Sequence, residues 1–332
     1  MYVKRYLSPL IVYYYSWRMV LFSLITGSIA IFVYSYLGWN WVAIPWLPVS
    51  LIGTATAFFV GFKNNQSYDR SWEARKIWGS ITNHSRSFGA ALRAYACNAD
   101  QTNSDPNEDV KTMIYRHIAW LYALKMAMAQ RTSWEHRDRA SKRQRTTLHG
   151  KQTPCEVQIE KYLKPNEHAA VENKKNQSTQ ILDQQSQHLA RLRHAGGIDA
   201  FQHVALQNII SNLYDEQGKS ERIKNTPFPR QYATTSNLFI FVFLTLLPFG
   251  LLPQFAELGE DYLMLLIPFN MIVSWVFLFM EYVGDISENP FEGLLNDVPV
   301  ATIVRNIEID LIEMLEEEQV PEKLQPFFGA LF

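Results

Sequence analysis

The chain lacks most of the features that mark an enzyme or a metalloprotein. Its two cysteines, Cys97 and Cys155, fit neither a zinc-ligand pair nor a redox motif, which indicates ordinary reduced thiols. Its eight histidines are scattered without metal-ligand spacing, and it contains no glycine-rich phosphate loop and no Gly-x-Ser-x-Gly elbow. The sequence therefore predicts no catalytic residues, no metal and no cofactor.

Net charge is also lacking, since 31 Lys and Arg residues face 32 Asp and Glu residues. Without a net positive field, nothing favours nucleic acid as a partner. The charges are unevenly spread, however, because both ends of the chain hold long apolar stretches and the middle is very polar. This division is typical of an integral membrane protein with a large aqueous region.

Four stretches approach the length of a membrane span, at about residues 19–37, 41–62, 235–252 and 262–282. A helix needs roughly 20 mostly apolar residues to cross the hydrocarbon core, and short connectors join the stretches into two hairpins. Buried helices of a soluble protein are the alternative, which the two uncharged pairs disfavour. We therefore expect four transmembrane helices in contact with lipid.

The loop charges indicate the orientation of the spans. Both short connectors lack Lys and Arg, whereas basic residues precede the first span, follow the second span and precede the third. Positive residues favour the cytoplasmic side. We therefore predict a protein of a bacterial inner membrane with both termini in the cytoplasm. The flanking basic residues are Lys4, Arg5, Arg18, Lys63, Arg70, Arg75, Lys76, Arg222, Lys224 and Arg230.

The polar remainder predicts helices and no strands, so the expected fold class is all-α. Apolar spacing and breaker residues predict helices over about 65–97, 110–130, 165–194, 200–217 and 300–319, with a dense basic stretch at 131–151. We expect an N-terminal hairpin over 1–62 and a cytoplasmic helical region over 63–230. A second hairpin over 231–284 and a cytoplasmic C-terminal segment over 285–332 complete the expected organisation.

The second span carries two stripes with a repeat of four residues. Small residues recur at Gly53, Ala57 and Gly61, which lets membrane helices approach closely. On the neighbouring face lie Thr54, Phe58 and Phe62. Phenylalanine rings around a shared axis would form an apolar constriction that gates by dewetting, although phenylalanines that face lipid or core have the same spacing.

Polar residues crowd the end of this span. Asp69, Arg70 and Glu73 stand at spacings that meet on one helix face. Two interpretations remain open: the three side chains line a vestibule, or they pair among themselves as a solvated cluster.

Two blocks of sequence resemble the bestrophin family in its bacterial branch. The first is "FFVGFKNNQSYDRSWEARKIWG" at 58–79, and the second is "ENPFEGLLNDVPVATIVRNIEIDLIEML" at 288–315. The resemblance implies a homopentameric ion channel around a central pore lined by the second span. It places the neck at Thr54, Phe58 and Phe62, where Thr54 replaces a usually apolar residue and predicts a wider or wetter outer ring. It places a second, cytoplasmic aperture near Phe201, or at Val204 or Leu206 if the register shifts.

The second block differs from that of the animal members of the family. For those members the resemblance implies opening by calcium, which binds an acidic cluster after Asn-Pro-Phe. Here Glu292 and Asp297 are the only carboxylates of that stretch. Because calcium needs several converging oxygens, calcium-independent activity is expected. The resemblance implies anions for animal members and monovalent cations for bacterial ones, which leaves the sign of the permeant ion open.

The leading hypothesis is therefore a calcium-independent channel for small monovalent ions. The alternative is a membrane-anchored scaffold or sensor whose cytoplasmic helices bind a protein partner, motivated by the size of that region and its basic stretch.

Overall fold

A computed structural model describes residues 1–7, 9–96, 106–136, 155–326 and 329–331. Within these ranges the regular secondary structure is helical, apart from an isolated β-bridge between Tyr2 and Ala330. The all-α prediction is thereby confirmed. Cys97, residues 98–105 of the predicted polar loop and residues 137–151 of the predicted basic stretch lie outside the described residues.

The described part of the chain contains ten α-helices and three shorter helical turns. A π-helical turn, Phe32–Tyr36, follows α1, and 3-10 turns at Asn40–Val42 and Glu260–Leu265 precede α2 and α9. In chain order the α-helices are α1 Pro9–Ile31, α2 Trp46–Ala96, α3 Pro106–Ala129, α4 Cys155–Tyr162, α5 Pro165–Val171, α6 Gln177–His194, α7 Ala200–Asn225, α8 Arg230–Ala256, α9 Leu266–Asp285 and α10 Val300–Met314.

Four helical stretches of the described chain are long and apolar enough to cross a membrane. They are Tyr15–Tyr36, Asn40–Tyr95, Arg230–Ala256 and Glu260–Asp285, so the predicted number of spans is confirmed. The second span continues without a break into the predicted polar helix, because no Pro or Gly pair interrupts 49–96.

The chain divides into two compact units. The membrane unit consists of Lys4–Arg70 and Pro227–Glu288, and the helical unit consists of Met1–Val3, Ser71–Thr226 and Asn289–Phe332. In the membrane unit, α1 packs along α9, and α8 packs against both. Gly27 leaves room there for Asn270, whose side-chain amide donates to the carbonyl of Ser23 at 2.7 Å. Such hydrogen bonds join helices where lipid offers no partner for polar groups.

The core of the helical unit is built around α3. This helix packs against α4, α6, α7 and α10, and it is buried all around from Arg116 to Leu124. A helix that is buried on every side lies at the centre of its bundle. The predicted apolar stripe of α3 is completely buried: Ile114, Ile118, Leu121 and Leu124.

Three predicted helix boundaries are wrong. The helix expected over 165–194 is two helices, because Asn176 caps a new helix by accepting from the backbone N–H of Thr179 at 3.1 Å. The helix expected over 300–319 ends at Met314, two residues before Glu316 adopts a left-handed conformation with φ of 58°. The helix expected over 200–217 continues to Asn225, and the short helix α4 was not predicted.

His117 is a buried polar residue in the core of the helical unit. It lies on α3 against the rings of Phe88 and Trp120, and one ring nitrogen is 2.9 Å from the hydroxyl oxygen of Ser85. Burial lowers the pKa of His117 from 6.5 to about 3, because the charged imidazolium loses its hydration. The folded protein therefore holds this histidine neutral.

We predict that His117 makes the folded state sensitive to acid. Because the pKa is depressed on folding, the stabilisation is complete above pH 6.5 and is lost as the pH falls towards 3. At about 1.4 kcal/mol per pH unit, lowering the pH to about 4.5 costs roughly 2–3 kcal/mol. His117→Gln, which keeps a partner for Ser85 but does not titrate, should show a smaller drop in unfolding temperature between about pH 7 and 4.5. Equal drops in both proteins would contradict the assignment.

Candidate functional site: the exposed face of helix α2

One face of α2 is fixed by packing inside the membrane unit. Its buried positions recur at intervals of three and four residues: Val49, Gly53, Thr56, Val60, Lys63 and Ser67. At Gly53 the ring of Phe243 on α8 comes so close that a side-chain carbon would lie 2.6 Å from it. At Gly250 on α8 the side chain of Val49 approaches in the same way. The close approach of α2 and α8 thus depends on a glycine from each helix.

The opposite face of α2 carries the aromatic stripe predicted for the neck. Phe58 is 67% exposed and Phe62 is 64% exposed, and Thr54 is exposed as well. The Thr54 hydroxyl donates to the carbonyl of Ser50 at 2.9 Å, within the same helix. The chain's own core therefore accommodates none of these three side chains.

The small-residue stripe does not form one packing surface within the chain. Gly53 is buried against α8, Ala57 is half-buried, and Gly61 is exposed with no atom of another element within 4 Å of the place where a side chain would begin. Of these three residues, only Gly53 is fully buried within the described chain. A packing role for Ala57 and Gly61 stays a prediction.

A buried ion pair holds α2 directly after the aromatic stripe. Lys63 is completely buried, and its ammonium pairs with the carboxylate of Glu281 on α9. The other oxygen of Glu281 accepts from the hydroxyl of Ser236 on α8 at 2.6 Å. One residue further on, Asn64 donates to the carbonyl of Met280 at 2.9 Å. Lys63 therefore joins α2 to both helices of the second hairpin.

The polar cluster at the end of the span is not the internal cluster that the sequence allowed. Glu73 pairs with Arg222 on α7 at 2.5 Å, not with Asp69 or Arg70. Asp69 is exposed, and its one partner among the described residues is the amide of Asn65, at 3.5 Å. The interpretation that Glu73 pairs within the cluster is therefore wrong, because its partner Arg222 comes from a distant segment of the chain.

The residues predicted for a second aperture lie at the start of α7. Phe201 is 85% exposed and Val204 is 55% exposed, whereas Leu206 is completely buried in the core of the helical unit. Burial removes Leu206 from any ion pathway. Phe201 and Val204 remain available, and their role stays a prediction.

The loop after Asn-Pro-Phe uses its carboxylates internally. Glu292 accepts from the side chain of Asn289 at 2.8 Å and from the ring nitrogen Nδ1 of His136 at 2.9 Å. Asp297 accepts from the backbone N–H of Leu294 at 3.0 Å, and burial raises its pKa to about 7. Among the described residues, no group of three or more His, Cys, Asp or Glu side chains could hold a metal ion.

Sequence reasoning missed the partners of these charged residues. Lys63 and Glu281 are 218 residues apart, and His136 and Glu292 are 156 residues apart. The signal for Lys63 was the position of a single lysine directly after an uncharged span, together with a glutamate within another span. Nothing in the local spacing of His136 indicated its partner.

Four apolar helices, of which the long helix α2 carries an aromatic face outside the core, define a polytopic helical membrane protein. A family model for the bacterial/fungal bestrophin protein matches residues 9–313. The voltage-dependent anion channel-forming protein YneE of Escherichia coli K12 is 27% identical over 280 residues, which cover 84% of this chain and 80% of that protein. The similarly named RSc3414 of Ralstonia nicotianae is 27% identical over 293 residues, which cover 85% and 84%.

The fold is also known from solved structures. The crystal structure of a bacterial bestrophin homologue from Klebsiella pneumoniae matches with a TM-score of 0.76 and 22% identity, and the match covers 91% of this chain and 98% of that one. The chain belongs to the bacterial/fungal bestrophin family. Members of this family are ion channels and not enzymes. This confirms both the family resemblance and the prediction that the protein is not an enzyme.

We predict that removing one partner of the buried ion pair destabilises the membrane unit. Lys63→Met leaves the Glu281 carboxylate buried without its cation, which should lower the free energy of unfolding by about 3–5 kcal/mol. The double variant Lys63→Met/Glu281→Met should recover much of this loss, because neither charge then remains. The measurement is thermal unfolding of the purified protein in detergent.

Lys76→Met is the matched control, since Lys76 is an exposed lysine of the same helix. It should change the unfolding temperature little. A single variant at Lys63 that is as stable as this control would contradict the structural role of the pair.

Proposed function

We propose that the protein is a homopentameric channel of a bacterial inner membrane, with α2 from each subunit around a central pore. The supporting observation is the aromatic stripe of α2, which lies outside the core on a helix that is otherwise fixed by packing. In this arrangement Thr54, Phe58 and Phe62 form the neck, and their rings make a narrow apolar passage that opens and closes by wetting. The bestrophin fold supports the assembly.

We further propose that both chain termini lie in the cytoplasm. The basic residues before the first span, after the second span and before the third span support this orientation. The region over 63–230 and the segment over 285–332 are then cytoplasmic, and the hairpins over 1–62 and 231–284 are embedded in lipid. The exposed side chains of Phe201 and Val204 are proposed to narrow the cytoplasmic end of the pore.

The proposed permeant ions are small and monovalent. The phenyl rings of the neck carry no net charge, so they dehydrate ions of either sign, and the sign must be selected by other groups. The relatives are named as anion channels, whereas the family resemblance of the sequence implies cations for bacterial members. We propose cations, and the reversal potential in an asymmetric KCl gradient is the measurement that decides.

We predict that Phe62→Ala raises the single-channel conductance in planar bilayers several-fold. Five rings leave the proposed neck at once, so the passage becomes wider and easier to wet. The matched control is Phe241→Ala, which removes an exposed phenylalanine from α8, a helix that does not line the proposed pore. A conductance that is unchanged by Phe62→Ala, or raised equally by the control, would contradict the neck.

We predict equal open probability with calcium chelated and with calcium added. The oxygens of Glu292 are held by Asn289 and His136, and Asp297 is occupied by the backbone of Leu294, so few oxygens converge on a cation. Magnesium at the same concentration controls for general screening of surface charge. Current that appears only with calcium would refute calcium independence.

A further inference from the structure

The exposed stripe of α2 does not end at the aromatic residues. Asn65 and Asp69 are both exposed and continue it beyond Phe62. At 100° per residue, the seven residues from Phe62 to Asp69 turn the helix by about 700°. The two side chains therefore point in directions that differ by only about 20° around the helix axis. Asn65 likewise follows Phe58 by seven residues, so these two side chains also lie on one face of the helix. The aromatic stripe therefore passes into an amide and then a carboxylate.

Unlike Lys63 and Glu73, Asp69 has no countercharge among the described residues. Lys63 is neutralised by Glu281, and Glu73 is neutralised by Arg222. Asp69 has only the neutral amide of Asn65, at 3.5 Å, among the described residues. Its negative charge is thus the first uncompensated charge beyond Phe62 on this face.

We propose that Asp69 determines the charge selectivity of the channel, in favour of monovalent cations. The inference rests on the proposed function, because only in the pentamer do the five Asp69 carboxylates form a ring around the pore axis. That ring stands at one end of the neck, where it concentrates cations and repels anions before they lose their water. The amides of Asn65 lie between the ring and the neck and provide oxygens for partly dehydrated cations.

Its distance from the neck makes Asp69 a stronger determinant of selectivity than Lys76, the next charged residue of the stripe. Seven residues of helix place Asp69 about 10 Å along α2 from Phe62, close to the Debye length of about 8 Å at physiological salt. Lys76 is also exposed, but it follows Phe62 by twice as many residues. Screening therefore weakens its influence on the neck much more. The effect of Asp69 should grow as the salt concentration falls.

The experiment compares the permeability ratio of K⁺ to Cl⁻ in planar bilayers, from reversal potentials in a KCl gradient. Asp69→Asn should lower this ratio at least about threefold, because a potential change of one kT alters ion occupancy by a factor of about 2.7. Asn65→Asp adds a carboxylate to the same stripe and should raise the ratio. The matched control is Glu313→Gln, which neutralises an exposed carboxylate of α10.

The outcomes separate this inference from the proposed function. A conducting Asp69→Asn channel with the wild-type ratio would overturn the role of Asp69 and leave the channel itself intact. A wild-type protein that prefers Cl⁻ would also overturn it. Wild-type protein without any current would refute the proposed function and this inference together. If Asp69→Asn does not assemble, the ratio of Asn65→Asp decides, and an unchanged ratio there counts against the stripe.

Discussion

The ion pair between Lys63 and Glu281 is the constraint on which the proposed pore depends. Neighbouring residues of a helix point about 100° apart, so burying Lys63 towards α8 and α9 determines where Phe62 points. Rotating α2 to bury Phe62 would withdraw Lys63 from its carboxylate, and an unpaired charge in a membrane-embedded unit is very unfavourable. The pair therefore keeps the aromatic stripe outside the core.

The same constraint separates two properties that an ion channel needs. The charges of Lys63 and Glu281 neutralise each other beside the proposed neck, which leaves the neck apolar and able to dewet. The uncompensated charge of Asp69 lies two helical turns away, where it can act on ions without wetting the neck. Gating and charge selection are thus assigned to different parts of one stripe.

Sequence reasoning predicted the features that periodicity can report. The four spans, the long second helix and the apolar stripe of α3 each depend on spacing within one segment, and the structure confirms them. Which face of α2 is buried could not be predicted, because the partners Phe243 and Glu281 come from distant segments. The same reason explains the missed pair of Glu73 with Arg222, since local spacing favoured partners one turn away.

Thr54 shows how local structure changes the reading of a residue type. By composition, threonine at the outer end of the proposed neck suggests a wetter ring than an apolar side chain would make. Its hydroxyl, however, donates to the carbonyl of Ser50 at 2.9 Å, so its hydrogen is already used within the helix. The oxygen can still accept from water, but it offers no free donor to water or to an anion. The ring is therefore less polar than a free hydroxyl would make it, and its remaining lone pairs interact more favourably with a cation than with an anion.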